Sequence, residues 1–550
     1  MEISNEYEDT RNLQYRRNDY KHNKSITRGG IQMNITTSLR QNAKRFSDKM
    51  AITCEGRSYT YQELNEEVNR LANGLLETGL QKGDKVSLFM KNSDYYVLAF
   101  FAVLKAGGVA VPVNYQLSSD ESGYIFGQSD SRFIFCDAEF ELVVAEEKAQ
   151  ASSLQQIIVH PAPDNNDYLS WESVVSENAL EPSVEVFSTD DAEILYTSGT
   201  TGKPKGALFD HQRLANVSAS FVFGVELKAE DRILHAVPLF HSVQLNLYLV
   251  TGILLGTSNV IVRDFEPVKA IQAINEFQVS VFFGLPDMYS ALLQMPDADT
   301  VDVSSVTKCM YGADPIEADL VKQAMTFFGH QQFYNLCLLT EGGPGGVFLL
   351  PAQHEYKVGS GGKPMYFTEV RVVDEEFRDV QPGTIGEFVI KGATVMKEYF
   401  KKPQETEEAF QNGWLLTGDL ATIDEDGFIS LVDRKADRII SAGENIYSIE
   451  VEQVINSHPQ VAEAATVGLP EEEWGEIVGV VIVPKQGETI DEEKLMDYFL
   501  EHLPGYKIPR KYRIADSLPR SGAGKIVKYK LRELHISEFE WFRKIPESRY

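Results

Sequence analysis

A chain of 550 residues with 43% hydrophobic and 24% charged residues is long enough for more than one domain and a sizeable buried core. Its formal net charge of -29 excludes nonspecific nucleic-acid binding and docking on anionic membrane, although a local lysine cluster can still hold an anionic substrate. Cys54, Cys136, Cys309 and Cys337 are scattered with no C-x-x-C pair, which fits a reduced, cytoplasmic protein without a structural zinc site.

Residues 1–32 are polar, mixed in charge and poor in aliphatics, so they read as a disordered extension, with Met33 as the physiological start. The longest apolar run, Tyr95 to Leu104, stops at Lys105 and is too short to cross a bilayer, so no stable membrane insertion is expected. Thr60 and Glu63 form a capping box, and Leu64, Val68, Leu71 and Leu75 follow at helical spacing. Val86 to Met90 reads as a strand, Asp94 to Lys105 as an apolar helix, and Val109 to Val113 as the next strand. This alternation predicts a mainly parallel sheet flanked by helices.

The stretch Tyr196 to Gly206, YTSGTTGKPKG, lies between two short apolar runs, Ile194–Tyr196 and Ala207–Phe209. Glycines let a backbone turn its N–H groups toward an anion, hydroxyls donate to phosphate oxygens, and lysines add mobile positive charge. The spacing is not that of a Walker loop: Thr197 replaces the first glycine, and Pro204 bars continuation into a helix. The loop is therefore expected between two strands. A lone loop of this composition is equally a flexible hairpin tip.

The helix–strand rhythm resumes with a helix opened by Asp210, strands near Asn259–Val262 and Val279–Phe283, and a helix after Pro286. After about Lys357, glycine-rich turns separate short alternating strands, which predicts a smaller, mostly antiparallel, barrel-like region. From about Asp433 a third texture begins. Ser448–Ser457 and Glu492–His502 read as helices, Ala462–Leu469 and Ile477–Val483 as strands. The expected division is a large α/β domain over 33–433 and a small α+β domain over 434–550, with a hinge near Asp433–Asp437.

YTSGTTGKPKG is followed in order by LLTE at 338–341, GWLLTGDL at 413–420, DRKADRIISAGENIYSIEVE at 433–452 and LPRSGAGKI at 518–526. Together these blocks resemble the adenylate-forming superfamily of acyl-CoA synthetases, adenylation domains and luciferases, and the resemblance covers about residues 36 to 535. It implies two half-reactions. A carboxylate attacks the α-phosphorus of ATP, giving an acyl-adenylate and pyrophosphate. The small, mobile C-terminal domain then swings, and coenzyme A or the thiol of an acyl carrier protein displaces AMP.

Carried onto this sequence, the resemblance assigns the ATP phosphates to Thr197, Ser198, Gly199, Thr200, Thr201, Gly202, Lys203, Lys205 and Gly206. It gives the adenine face to Gly312 and Ala313, the ribose hydroxyls to Asp419, and the ribose and phosphates to Arg434. Thr340 would reach the α-phosphate, and Glu341, with Thr197, would hold Mg2+, which prefers hard oxygen ligands. Lys525 would bridge the carboxylate and the α-phosphate as charge develops there. His241, counted with Lys525, Thr340 and Glu341 as catalytic, and Phe240 flank the acyl channel. Gly443 would leave room for the pantetheine arm.

Three departures stand out. The family's Tyr-Gly-x-Thr-Glu is here Cys337-Leu338-Leu339-Thr340-Glu341, which removes an aromatic face for adenine. Asp314 stands where a small residue or glutamate is more usual. Ala436 occupies the hinge position, so a salt bridge locking one conformer there is expected to be missing. Phe283, Gly284, Leu285, Pro286 and Met288 read either as an apolar pocket wall or as plain core, with Asp287 leaving an amine anchor open. The favoured reading is a fatty- or aryl-acid CoA ligase. The alternatives are an enzyme loading a carrier protein and a degenerate nucleotide-binding protein.

Overall fold

A computed structural model of the protein describes residues 34–148, 151–197, 203–296, 298, 300–313, 316–520 and 526–542. The extension expected at 1–32 lies outside them.

Two large sheets dominate the N-terminal part. One has eight strands, at its centre the parallel strands Asp191–Thr197, Val109–Pro112, Lys85–Phe89, Ser131–Asp137 and Gln156–His160. The other has nine, with Met50–Cys54, Ser258–Ile261, Arg232–His235, Val281–Gly284, Lys308–Gly312 and Phe333–Leu339 running parallel. Antiparallel strands are confined to the sheet ends, where a short turn suffices in place of a crossover helix.

Helix Asp94–Lys105 explains how the two sheets share one core. Ser93 caps it, its hydroxyl accepting from Tyr96 N at 3.1 Å. All of its residues but Tyr95 are buried, and Tyr96 to Leu104 share one cluster with Val86 and Leu88 of the first sheet and Ala51 and Ile52 of the second. Phe100, Phe101 and Leu104 each contribute about 2–3 kcal/mol relative to exposure. An apolar run that would read as a membrane segment if longer is here a layer of the core between the two sheets. Among the described residues no helix is long and apolar enough to cross a membrane.

The expected capping box is present: Thr60 N donates to Glu63 Oε2 at 2.8 Å and Glu63 N to Thr60 Oγ1 at 3.2 Å, at the head of helix Tyr61–Glu77. Asp210 caps helix His211–Val225 one way only, its carboxylate accepting from Arg213 N at 2.8 Å.

The antiparallel region follows as five strands, Thr368–Val373, Gly386–Gly392, Trp414–Ile423, Phe410–Gln411 and Ile429–Arg434. The C-terminal α+β domain is built on the long hairpin of Val461–Glu471 with Gly475–Pro484. Helices Ser448–Asn456 and Glu492–His502 cover it, and its hydrophobic clusters draw only on residues from Ile439 onward. Sequence boundaries differ from these by one or two residues, as helix and strand ends fray.

Candidate nucleotide and acyl-transfer site

Strands Asp191–Thr197 and Lys205–Asp210 form the antiparallel pair expected on either side of the glycine-rich loop, with Thr197 opposite Lys205. Ser198, Gly199, Thr200, Thr201 and Gly202 lie outside the described residues, as do Asp314 and Lys525. The two loop lysines part company. Lys203 lies over the Tyr124 ring at 5.1 Å, whereas Lys205 lies over the Tyr399 ring at 4.3 Å. Gly206 has a packing reason for its type. A Cβ there would come within 2.6 Å of the Ile194 side chain and 3.0 Å of the Tyr196 ring.

Thr340 and Glu341 sit in a single turn, Thr340–Gly342, directly after strand Phe333–Leu339. Gly343 ends that turn at φ +87°, where a Cβ would lie 2.0 Å from the Thr394 carbonyl oxygen. Glu341 is thereby held against the loop hairpin. Its Oε1 accepts from Thr197 Oγ1 at 3.1 Å and from the Tyr399 hydroxyl at 2.9 Å, and its carbonyl accepts from Met396 N at 2.9 Å. Thr340 Oγ1 pairs with Ser242 Oγ at 3.1 Å. Thr197, Lys205, Thr340 and Glu341, far apart in sequence, are thus brought together.

Tyr399 and Ser242 belong to this cluster and were not evident from sequence. Tyr399 lies on the two-residue strand Glu398–Tyr399, too short for any periodicity to show. Burial, with the Glu341 carboxylate next in effect, drives its phenol well above the ordinary range, so it stays a hydrogen-bond donor. Ser242 immediately follows His241, at the head of the π-helical segment Val243–Val250. His241 Nδ1 accepts from Val243 N at 3.4 Å, and Phe240 meets Tyr115 edge-on at 5.3 Å.

The Glu341 cluster suits a magnesium ion accompanied by substrate phosphates. Neither hydroxyl bond uses Glu341 Oε2, and Mg2+ in such sites takes one or two carboxylates with phosphate oxygens completing its shell. No group of three or more His, Cys, Asp or Glu side chains able to hold a metal occurs among the described residues, so an all-protein cage is not offered.

Asp419 and Arg434 face each other across strands Trp414–Ile423 and Ile429–Arg434, with Arg434 Nε 2.8 Å from Asp419 Oδ1. Thr417, Gly418, Arg434, Lys435 and Ala436 line an opening of about 290 Å³ beside them. Gly312, at φ +153°, owes its type to a neighbouring strand, since a Cβ would lie 2.1 Å from the Leu336 carbonyl oxygen. Ala313 follows in left-handed backbone at φ +67°. Cys337 is half-buried and backs onto Gly361, whose Cβ, if present, would sit 3.2 Å from that of Cys337.

The apolar wall divides. Phe283 is buried and stacked on Tyr248 at 5.1 Å, and Met288 is buried with it, so these two are core. Leu285 and Leu338 are half-buried and pack on the same cluster from its edge. Asp287 is exposed in the first turn of helix Pro286–Leu293. Gly443 is at the tip of a tight hairpin between strands Ile439–Ser441 and Glu444–Ile446. Ala442 and Gly443 both have positive φ, as a two-residue turn of this kind requires, and a Cβ on Gly443 would meet nothing within 4 Å.

The segment expected as the hinge carries two ties. Ala436 carries no charge, but the next residue, Asp437, forms an ion pair with Arg532 of helix Lys528–Arg532. A second tie lies beside it. Asp433 Oδ2 accepts from Ser448 Oγ at 2.8 Å, and Lys528 donates to that hydroxyl at 2.6 Å while pairing with Glu452 at 2.8 Å.

Residues 39–400 match the family model for the AMP-binding enzyme, and residues 450–525 match that for the AMP-binding enzyme C-terminal domain. A feruloyl-CoA synthase from Amycolatopsis sp is 34% identical over 483 residues, 88% of this chain and 95% of that protein. The fatty acid–[acyl-carrier-protein] ligase ScoC of Streptomyces coeruleorubidus is 33% identical over 490 residues, 88% of this chain and 93% of that protein. Among solved structures, a Mycobacterium tuberculosis fatty acyl CoA synthetase superposes with a TM-score of 0.74 at 32% identity, covering 91% of this chain and 98% of that one.

Proposed function

Because the chain belongs to the AMP-binding enzyme family, we propose that it activates a carboxylic acid with ATP to an acyl-adenylate and passes the acyl group to coenzyme A, releasing pyrophosphate and AMP. The observation that carries this reading is the Glu341 cluster. A carboxylate oriented by two hydroxyls stands beside Thr340 and at the foot of the glycine-rich hairpin. Magnesium, when bound there, would neutralise phosphate charge.

The chain's own residues divide the work. Thr197 and Tyr399 orient Glu341. Thr340 donates to the α-phosphate, and Ser242 holds its hydroxyl. Lys205, beside the Tyr399 ring, supplies charge to the phosphates, and Asp419, already turned by Arg434, accepts from the ribose hydroxyls. Lys525 stabilises the charge gathering between carboxylate and α-phosphate. Residues 434–550 move as a unit about the hinge, and the hydrogen bond of Ser448 Oγ to Asp433 Oδ2, which crosses the boundary, holds one arrangement of it.

The acid is apolar, and a fatty acid is the first choice. Leu285 and Leu338 supply an aliphatic edge, and exposed Asp287 is no anchor for an α-amine. An aryl acid is the second choice, favoured by the likeness to feruloyl-CoA synthase. The likeness to ScoC supports a carrier protein as the alternative acceptor. The test is acid-dependent pyrophosphate exchange over a panel of aliphatic, aryl and amino acids, followed by thioester detection with coenzyme A and with a holo-carrier protein. Exchange with aliphatic acids and a coenzyme A thioester is expected. A thioester formed only on the carrier overturns the acceptor, and exchange only with amino acids overturns the substrate class.

A further inference from the structure

Glu193 lies four residues before Thr197 on strand Asp191–Thr197 and is fully buried. Asn246, 1% exposed, lies within the π-helical segment Val243–Val250. Asn246 Nδ2 donates to Glu193 Oε2 at 2.8 Å. The remaining oxygen of each side chain, Glu193 Oε1 and Asn246 Oδ1, is buried and has no hydrogen-bond partner. Two orphan acceptors on a single contacting pair are costly, since each forfeits its water without replacement. One proton resolves both. A carboxylic acid has an O–H to donate, and the carboxamide of the residue it already contacts carries an acceptor.

We propose that Glu193 is a neutral carboxylic acid that pairs with the Asn246 carboxamide through both of its oxygens. The pair is a staple fixing the strand that ends at Thr197 against the π-helical segment that begins after Ser242. Its surroundings agree. Opposite Glu193 in register stand Ala110 and Phe209, neither charged, and Tyr96 of helix Asp94–Lys105 is the titratable group that faces it. Burial raises the Glu193 carboxyl from its ordinary 4.5 to about 8, while the Asn246 hydrogen bond pulls the other way.

The staple has a place in the site. Thr197 donates to Glu341 and Ser242 bonds Thr340, so the two elements it joins each deliver one hydroxyl to the Thr340–Glu341 turn. π-Helical turns are rare and recur at functional sites. Glu193 and Asn246 are therefore positioning residues. Their effect on adenylation rests on the function proposed above, whereas the protonation does not.

The sign of the pH dependence follows. The folded chain keeps the Glu193 proton and the unfolded chain releases it near 4.5. The contribution to stability is full below pH 4.5 and is lost as pH rises to about 8. Glu193→Gln preserves the pair, because its amide donates to Asn246 Oδ1 and accepts from Nδ2, and it does not titrate. The experiment compares wild type, Glu193→Gln and Asn246→Leu in the full chain. Thermal midpoints of wild type should fall relative to Glu193→Gln by a few degrees between pH 6 and 8. Difference infrared spectra at pH 6 should show a protonated-carboxyl band that Glu193→Gln removes. Acid-dependent pyrophosphate exchange should lose rate with a midpoint near pH 8 in wild type only. Asn246→Leu should slow exchange at every pH. Parallel thermal curves with no removable carboxyl band overturn the protonation. An alkaline limb unchanged in Glu193→Gln overturns the positioning role. Absence of exchange with every acid counts against the proposed function, and the thermal and infrared measurements decide the staple without turnover.

Discussion

Replacing Tyr399 with phenylalanine removes one atom from the proposed metal site and little else. The ring stays in place, so the packing of this buried side chain and its stacking under the Lys205 ammonium at 4.3 Å are retained. What goes is a 2.9 Å donor to Glu341 Oε1. A hydrogen bond to a charged group is worth about 1.5–3 kcal/mol. Because Thr197 Oγ1 still donates to the same oxygen at 3.1 Å, Oε1 is not orphaned, and the loss should fall at the low end of that range. At 1.36 kcal/mol per factor of ten, the rate of adenylate formation should drop roughly tenfold. The assay is acid-dependent pyrophosphate exchange measured across Mg2+ concentrations, with thermal unfolding as a control on folding. The Mg2+ requirement should rise and the thermal midpoint should move little. Thr197→Val should act in the same direction, and the double variant should be non-additive, since both hydroxyls hold one carboxylate. Exchange within about twofold of wild type at every Mg2+ concentration would refute the assignment of Glu341 as the oriented metal ligand.

Lys525→Ala should slow adenylate formation by about a hundredfold or more, the scale for one transition-state charge donor, and leave thioester formation from supplied acyl-adenylate nearly intact. Gly443→Leu should do the reverse, and both variants failing in the same half-reaction would contradict alternation of the small domain. Cys337→Tyr should tighten ATP binding by ~1–3 kcal/mol through stacking on the base, measured by calorimetry; an unchanged affinity would mean that the contact with Gly361 turns the new ring away from adenine. Asp437→Asn should weaken the hinge pair with Arg532 and speed limited proteolysis near residues 433–437, and an unaltered cleavage rate would show that the Asp433–Ser448–Lys528 tie suffices.

What was legible in the sequence was local. The capping box at Thr60 and Glu63, the buried helix Asp94–Lys105 and the strand pair flanking the glycine-rich loop depend on neighbours within a few residues, so their patterns appear in the one-dimensional string. The Thr-Glu turn, Asp419 and Arg434 were legible through ordered blocks. Tyr399 was not, because a two-residue strand has no period and its partner Glu341 is 58 residues away. The Asp437–Arg532 ion pair was invisible for the same reason, its partner being 95 residues on. Gly206 and Gly312 carry a second constraint that sequence did not show. Beside the close approach of a nucleotide that their size suggests, the Tyr196 ring and the Leu336 carbonyl leave no room for a side chain, and those neighbours are set by strand pairing rather than by local sequence. Glu193 reads in sequence as one more strand residue, and only its full burial against Asn246 sets it apart.

The central claim is that the Thr197–Thr340–Glu341 assembly serves attack of a carboxylate on the α-phosphorus of ATP. Labelled pyrophosphate tests it directly. Incubated with the full chain, ATP, Mg2+ and a fatty acid, with coenzyme A left out, it should be incorporated into ATP, and addition of coenzyme A should then release AMP. Exchange that is absent without coenzyme A, or turnover that releases ADP and phosphate, would contradict the account.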